Sequence, residues 1–130
     1  MWLAAPTVLI FKYKGYSDGG YIPFIEDVYS RTLGSAQGPT HVFVDCEDQT
    51  GYDPVFRRGI TEWSKRVIPR SDSYCLLVKS RLVAMGIAVA RVLVGAVAQR
   101  AEVVTDPDAF RSKLEHAVRR SLAERAASRV

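Results

Sequence analysis

His41-Val42-Phe43-Val44-Asp45-Cys46, then Glu47 to Tyr52, then Asp53-Pro54-Val55-Phe56, is a stretch that sets a strand and a helix start one after the other. Its first part is short and almost wholly apolar until Asp45, the pattern of a central parallel strand covered on both faces. Its last part is a helix start. Asp53 can accept from free backbone N–H groups, and Pro54 suits the first helical position, where no N–H is missed. Glu47 to Tyr52 between them reads as a loop. Phe56, Ile60, Trp63 and Val67 follow at steps of four, three and four, which is helix period. Arg57, Arg58, Lys65 and Arg66 are expected to face outward from that helix.

The same alternation extends in both directions. Thr7 to Lys14 reads as a strand with Leu9, Phe11 and Tyr13 on one face and Val8, Ile10, Lys12 and Lys14 on the other. Its polar far end suggests an edge strand. Gly15 to Gly20 is a turn, and a helix over Tyr21 to Leu33 carries Phe24, Ile25, Val28, Tyr29 and Leu33 as its stripe. Gly34-Ser35-Ala36-Gln37-Gly38-Pro39 ends that helix. Downstream, Ser73 to Val78 is a third strand, Arg81 to Gly95 an apolar helix, and Ala101 to Val104 a short fourth strand. Asp106-Pro107 repeats the cap-plus-proline signal, and Phe110, Leu114, Val118 and Leu122 give the last helix a stripe at steps of four. The order β-α-β-α-β-α-β-α predicts an α/β fold, a single mostly parallel sheet of about four strands with alternating helices. A length of 130 residues fits one domain spanning 1–130.

Composition narrows the class. A hydrophobic fraction of 48% and a charged fraction of 25% are ordinary for a globular chain and argue against disorder. The net charge of +4 is uneven: residues 1–53 balance to −4 and residues 54–70 to +4, so an acidic front half meets a basic back half. Cys46 and Cys75 lie in or beside apolar strands, without zinc spacing, and read as buried thiols of a reducing compartment. Met1 to Pro6 lacks the features of a signal peptide, so the expected location is cytoplasmic. Leu82 to Ala98 is interrupted only by Arg91, yet it is short for a membrane span. It reads as a helix buried against the sheet, and no transmembrane segment is expected.

Several runs together resemble a known family. Val42-Phe43-Val44-Asp45, then Gly51-Tyr52-Asp53-Pro54, then Leu76-Leu77-Val78-Lys79-Ser80-Arg81-Leu82-Val83-Ala84-Met85-Gly86, and finally Val103-Val104-Thr105-Asp106-Pro107-Asp108-Ala109-Phe110 look like the STAS fold of sulfate transporters and anti-sigma-factor antagonists. The branch they resemble is the SpoIIAA-like one, grouped with lipid-binding SEC14-type domains. The resemblance implies a non-enzymatic, regulatory protein–protein interaction module in bacterial signalling, with a regulatory kinase or other signalling protein as partner. It places partner binding around the second helix: Asp45, Thr50, Asp53, Arg57 and Arg58. The family's switch serine belongs just after the aspartate matched by Asp53, but Pro54 and Val55 stand there. Thr50 is then the nearest hydroxyl and the possible phosphosite. The SEC14 side of the resemblance implies the alternative, a small-ligand or lipid-binding domain using the helix around Met85, Gly86 and Ala88.

The residues themselves assemble no catalytic set. Asp45, Glu47 and Asp48 cluster at a strand end, where α/β folds place ligands, but they match no phosphoryl-transfer pattern and read as an acidic surface loop. Gly15 to Gly20 lacks the spacing of a phosphate loop. His41 and His116 have no readable partners. No catalytic residue, metal or cofactor is therefore expected. Trp63 belongs to the apolar stripe, not to a stacking platform, so no nucleic-acid partner is expected either. Trp2 and Tyr16 leave a homodimer possible.

Overall fold

The structure is a computed structural model that describes residues 1–34, 36 and 38–128. Its elements are β1 (Trp2–Ala5), β2 (Val8–Ser17), α1 (Tyr21–Thr32), β3 (Thr40–Tyr52), α2 (Pro54–Val67), β4 (Ser71–Val78), α3 (Arg81–Val94), β5 (Ala101–Val104) and α4 (Pro107–Ser128). Short 3₁₀ turns at Ile68–Arg70 and Ala96–Arg100 lead into β4 and β5. The strands form one sheet in the order β1-β2-β3-β4-β5, with β1 antiparallel to β2 and every other pair parallel. The predicted α/β class, mostly parallel sheet and alternating helices are therefore what the chain adopts. Ser35 and Gln37 of the predicted break after α1 lie outside the described residues.

The parallel strands advance one place at a time in the same direction. Crossovers of one hand then lay α1, α2 and α3 on the same face of the sheet. Leu9, Phe11, Tyr13, Val42, Val44, Tyr74 and Val78 meet those helices in the larger core. There Trp63 stands edge-on to Phe11 and Tyr29, with ring centroids 5.3 and 5.6 Å apart. The opposite face, with Val8, Ile10, Phe43, Cys75 and Leu77, is covered by α4 through Phe110 and Ala117. Phe43 and Phe110 also meet edge to face. The Thr7 hydroxyl and backbone N–H both reach the Ser121 hydroxyl, tying the β1–β2 turn to α4.

Trp2–Ala5 adds an antiparallel edge to the roughly four strands expected, so the sheet has five. Elsewhere the structure departs from the sequence pattern. The predicted edge character of β2 holds for only part of it: β1 covers Val8 to Ile10, and the remainder lacks a neighbour on that side. The predicted loop Glu47 to Tyr52 is strand. Lys14 pairs with Asp48, Gly15 with Gln49, Tyr16 with Gly51 and Ser17 with Tyr52. Two register shifts put extra β3 residues into this stretch, and such bulges break the alternation that marks a strand in sequence. The last helix buries Phe110, Ala117 and Ser121, while Leu122 is exposed. Steps of four overshoot the 3.6-residue turn by about 40° each, so a stripe that starts at Phe110 leaves the buried face by Leu122.

α3 is far less buried than its composition predicts. Only Val83 and Gly86 of this apolar helix are buried. Leu82, Met85, Val89, Val92 and Leu93 are exposed, Met85 by 66% and Val92 by 81%. The helix sits over the strand ends on one narrow face, where Gly86 allows the Tyr52 ring to approach its backbone. A Cβ built on Gly86 would lie 2.6 Å from the Tyr52 Cζ. Apolar composition alone does not bury a helix when no further layer covers it. Among the described residues, no helix is long and apolar enough to cross a membrane.

Candidate functional site

The turn that leads into α2 is a structural joint. Asp53 accepts from the Phe56 N–H at 2.7 Å through one carboxylate oxygen and from the Gly19 N–H at 3.3 Å through the other. Its own N–H donates to the Ser17 carbonyl. Asp53 thus caps α2 and fastens the end of β2 to it. Asp45 is half-buried; its carboxylate accepts from the Glu47 N–H at 3.0 Å and lies 3.8 Å from the Lys12 ammonium. Lys12 also reaches Asp48 at 3.6 Å. The acidic cluster is therefore partly neutralised by a lysine on the neighbouring strand. No group of three or more His, Cys, Asp or Glu among the described residues could hold a metal ion. Thr50 is exposed on β3 at the second register shift. Pro54 and Val55, where the family's serine would stand, are exposed at the helix start.

Arg57 and Arg58 do not share a face. Arg58 is exposed as expected, and Lys65 and Arg66 point outward to Glu62 and Glu26 at 3.0 and 2.6 Å. Arg57 turns instead toward a half-open cavity of about 100 Å³ between α2, α3 and the sheet. Val44, Cys46 and Leu76 form part of its floor; Phe56, Ile60 and Ile68 line it from the α2 side and Val83, Gly86, Ile87 and Ala90 from α3. Met85 and Ala88, expected to line a pocket, are exposed, because they lie opposite the arc of Val83, Gly86, Ile87 and Ala90 that α3 turns to the cavity. The hydroxyls of Thr61 and Ser64 donate to the Arg57 and Ile60 carbonyls one turn back, at 2.8 and 2.7 Å. Both hydroxyls thereby donate within the helix, and Ser64 also stands against the Tyr74 phenol.

Burial sets the electrostatics of the floor. It raises the Tyr13 and Tyr74 phenols well above their ordinary range and pushes the Cys46 thiol up to about 12. These groups are neutral at physiological pH. Both cysteines are free and buried, as expected from the sequence. A cavity of this size costs roughly 2 kcal/mol relative to a filled core. Apolar cavities on this scale take up benzene-sized molecules.

Of the residues singled out in sequence, the structure brings Asp45 and Lys12 together, gives Asp53 to the helix cap and leaves Thr50 and Arg58 on the surface. Arg57 joins the cavity, as does Gly86 of the helix expected to hold a ligand. The sequence carried one faint signal for the arginine: Arg57, Thr61, Ser64 and Ile68 repeat the four-three-four spacing of the core stripe, one residue further on. That second row marks a helix whose covered arc is wider than its apolar residues suggest.

No family model and no curated protein sequence matches this chain. Among solved structures, an uncharacterized protein of the DUF3478 family with a SpoIIAA-like fold, from Shewanella loihica PV-4, is similar at a TM-score of 0.63. The match covers 82% of this chain and 83% of that one, at 12% sequence identity. The chain therefore has a SpoIIAA-like fold, as the sequence resemblance implied.

Proposed function

We propose that this SpoIIAA-like domain is a non-catalytic binding module that takes a small apolar ligand into the cavity between α2, α3 and the sheet. The observation that carries this reading is the cavity itself: about 100 Å³, apolar on floor and walls, and closed on one side by a helix with only two buried residues. A ligand that fills it recovers contacts the cavity forfeits. A helix held by few buried side chains can shift outward to admit a chain longer than the resting cavity. Native mass spectrometry of the protein isolated from its own cells tests this. A retained small-molecule mass is expected, and the substitution Ala90→Trp, which fills the cavity from α3, should abolish it. Repeated ligand-free masses for the unsubstituted protein would count against the reading.

The bare outer face of α3 favours a second reading, the regulatory protein–protein interaction module implied by the family resemblance. Leu82, Met85, Val89, Val92 and Leu93 offer a larger apolar surface than Asp45, Thr50 or Arg58, so a protein partner would dock on α3. Affinity purification with Met85→Lys and Val92→Lys combined, compared with Arg58→Glu, separates the two locations. Loss of a partner only with the α3 pair supports α3; loss only with Arg58→Glu moves the surface back to α2.

A further inference from the structure

The cavity is electrostatically one-sided. Among the described residues lining it there is no Asp or Glu, while Arg57 and Arg91 both do so. Arg91 is engaged, donating to the Ala101 carbonyl at 3.0 Å. The Arg57 side chain, half-buried near the start of α2, makes neither an ion pair nor a hydrogen bond among the described residues. Asp53, one turn earlier, directs its two carboxylate oxygens to the N–H groups of Phe56 and Gly19 instead. The floor groups Tyr13, Cys46 and Tyr74 stay neutral and cannot balance the charge.

An unpaired guanidinium beside an apolar cavity is a headgroup site for an oxyanion. Its planar fork matches carboxylate and phosphate geometry with two parallel N–H donors. Partial removal from water strengthens the pair relative to a surface contact. Resting on the cavity reading above, we infer that the ligand is a single-chain anionic amphiphile, its apolar chain in the cavity and its carboxylate or phosphate on Arg57. The competing account of Arg57 is that its aliphatic stem covers apolar surface while its head stays in water. That account gives no preference among headgroups.

Calorimetric titration with octanoate, octyl phosphate, 1-octanol and octylammonium decides between them. The two anions are expected to bind about tenfold or more tighter than 1-octanol, a difference of about 1.4 kcal/mol, and octylammonium weakest. Arg57→Met, which keeps the stem, should bring the anions down to the level of 1-octanol. Arg57→Lys should keep part of the preference. The ranking of octanoate against octyl phosphate identifies the headgroup. If 1-octanol binds as tightly as the anions, or the preference survives Arg57→Met, the anionic assignment is overturned while the cavity reading stands. If none of the four binds, both fall.

Discussion

At the scale of single residues, His41 shows what burial does to a titratable group. It is wholly buried at 0% exposure, with Nδ1 3.0 Å from the Ser73 hydroxyl and Nε2 without a hydrogen-bond partner. Burial lowers its pKa, against an upward pull from Glu124 and Asp72 and with a further downward push from Arg120 and His116. The folded chain therefore resists a proton that the unfolded chain accepts near pH 6.5. Stability from this group is present above that pH and is lost as pH falls through and below it, by at most about 1.4 kcal/mol per unit. Urea unfolding at pH 6.5 and 5.5 should show the decline, and His41→Leu should flatten it. An unchanged slope in the variant would remove His41 as the cause. Asp53 supports a second prediction: Asp53→Ala should cost about 1–2 kcal/mol, because it leaves two part-buried N–H groups without their acceptor, whereas Asp53→Asn should keep most of the stability. This cap was legible in the sequence because it depends on neighbours a few residues away. The orientation of Arg57 was not, because it depends on α3, which lies across the cavity.

At the scale of elements, α3 and the far half of β3 departed most from their sequence pattern. β3 hid its last residues behind two register shifts, where Asp48, Thr50 and Gly51 look like loop composition yet pair with β2 or bulge from it. α3 showed an apolar pattern on nearly every side, and periodicity could not say which face would be covered. α2, with a cap and a stripe whose Phe56, Trp63 and Val67 are buried, followed its sequence pattern, whereas the even steps of four in α4 drifted off its buried face. Two substitutions separate the faces of α3. Gly86→Leu drives a side chain into the Tyr52 ring and should destabilise by about 1–3 kcal/mol while pushing the helix from the cavity. Met85→Lys, on the exposed face, should change stability by no more than about 0.5 kcal/mol. Chemical denaturation of the two variants measures both, and equal costs would mean that the faces are not as different as their burial.

At the scale of the whole molecule, the sheet divides two unlike halves. The α4 face is closed by Phe110 and Ala117 and by the ion pairs of Arg120 with Asp72 and Lys113 with Glu102, each at 2.6 Å. The opposite face holds the larger core under α1 and α2 but leaves a cavity under α3. Amide hydrogen exchange should follow this division, with α3 exchanging well before α2 and β3. On the proposed function, an apolar ligand enters beneath α3. The most direct measurement is a titration with 1-octanol followed by backbone and methyl chemical shifts in the unsubstituted protein. The predicted result is saturable shifts clustered at Val44, Ile60, Val83, Gly86, Ile87 and Ala90, with α4 silent. Shifts confined to Met85, Val89 and Val92 on the outer face, or no saturable shifts at all, would contradict it.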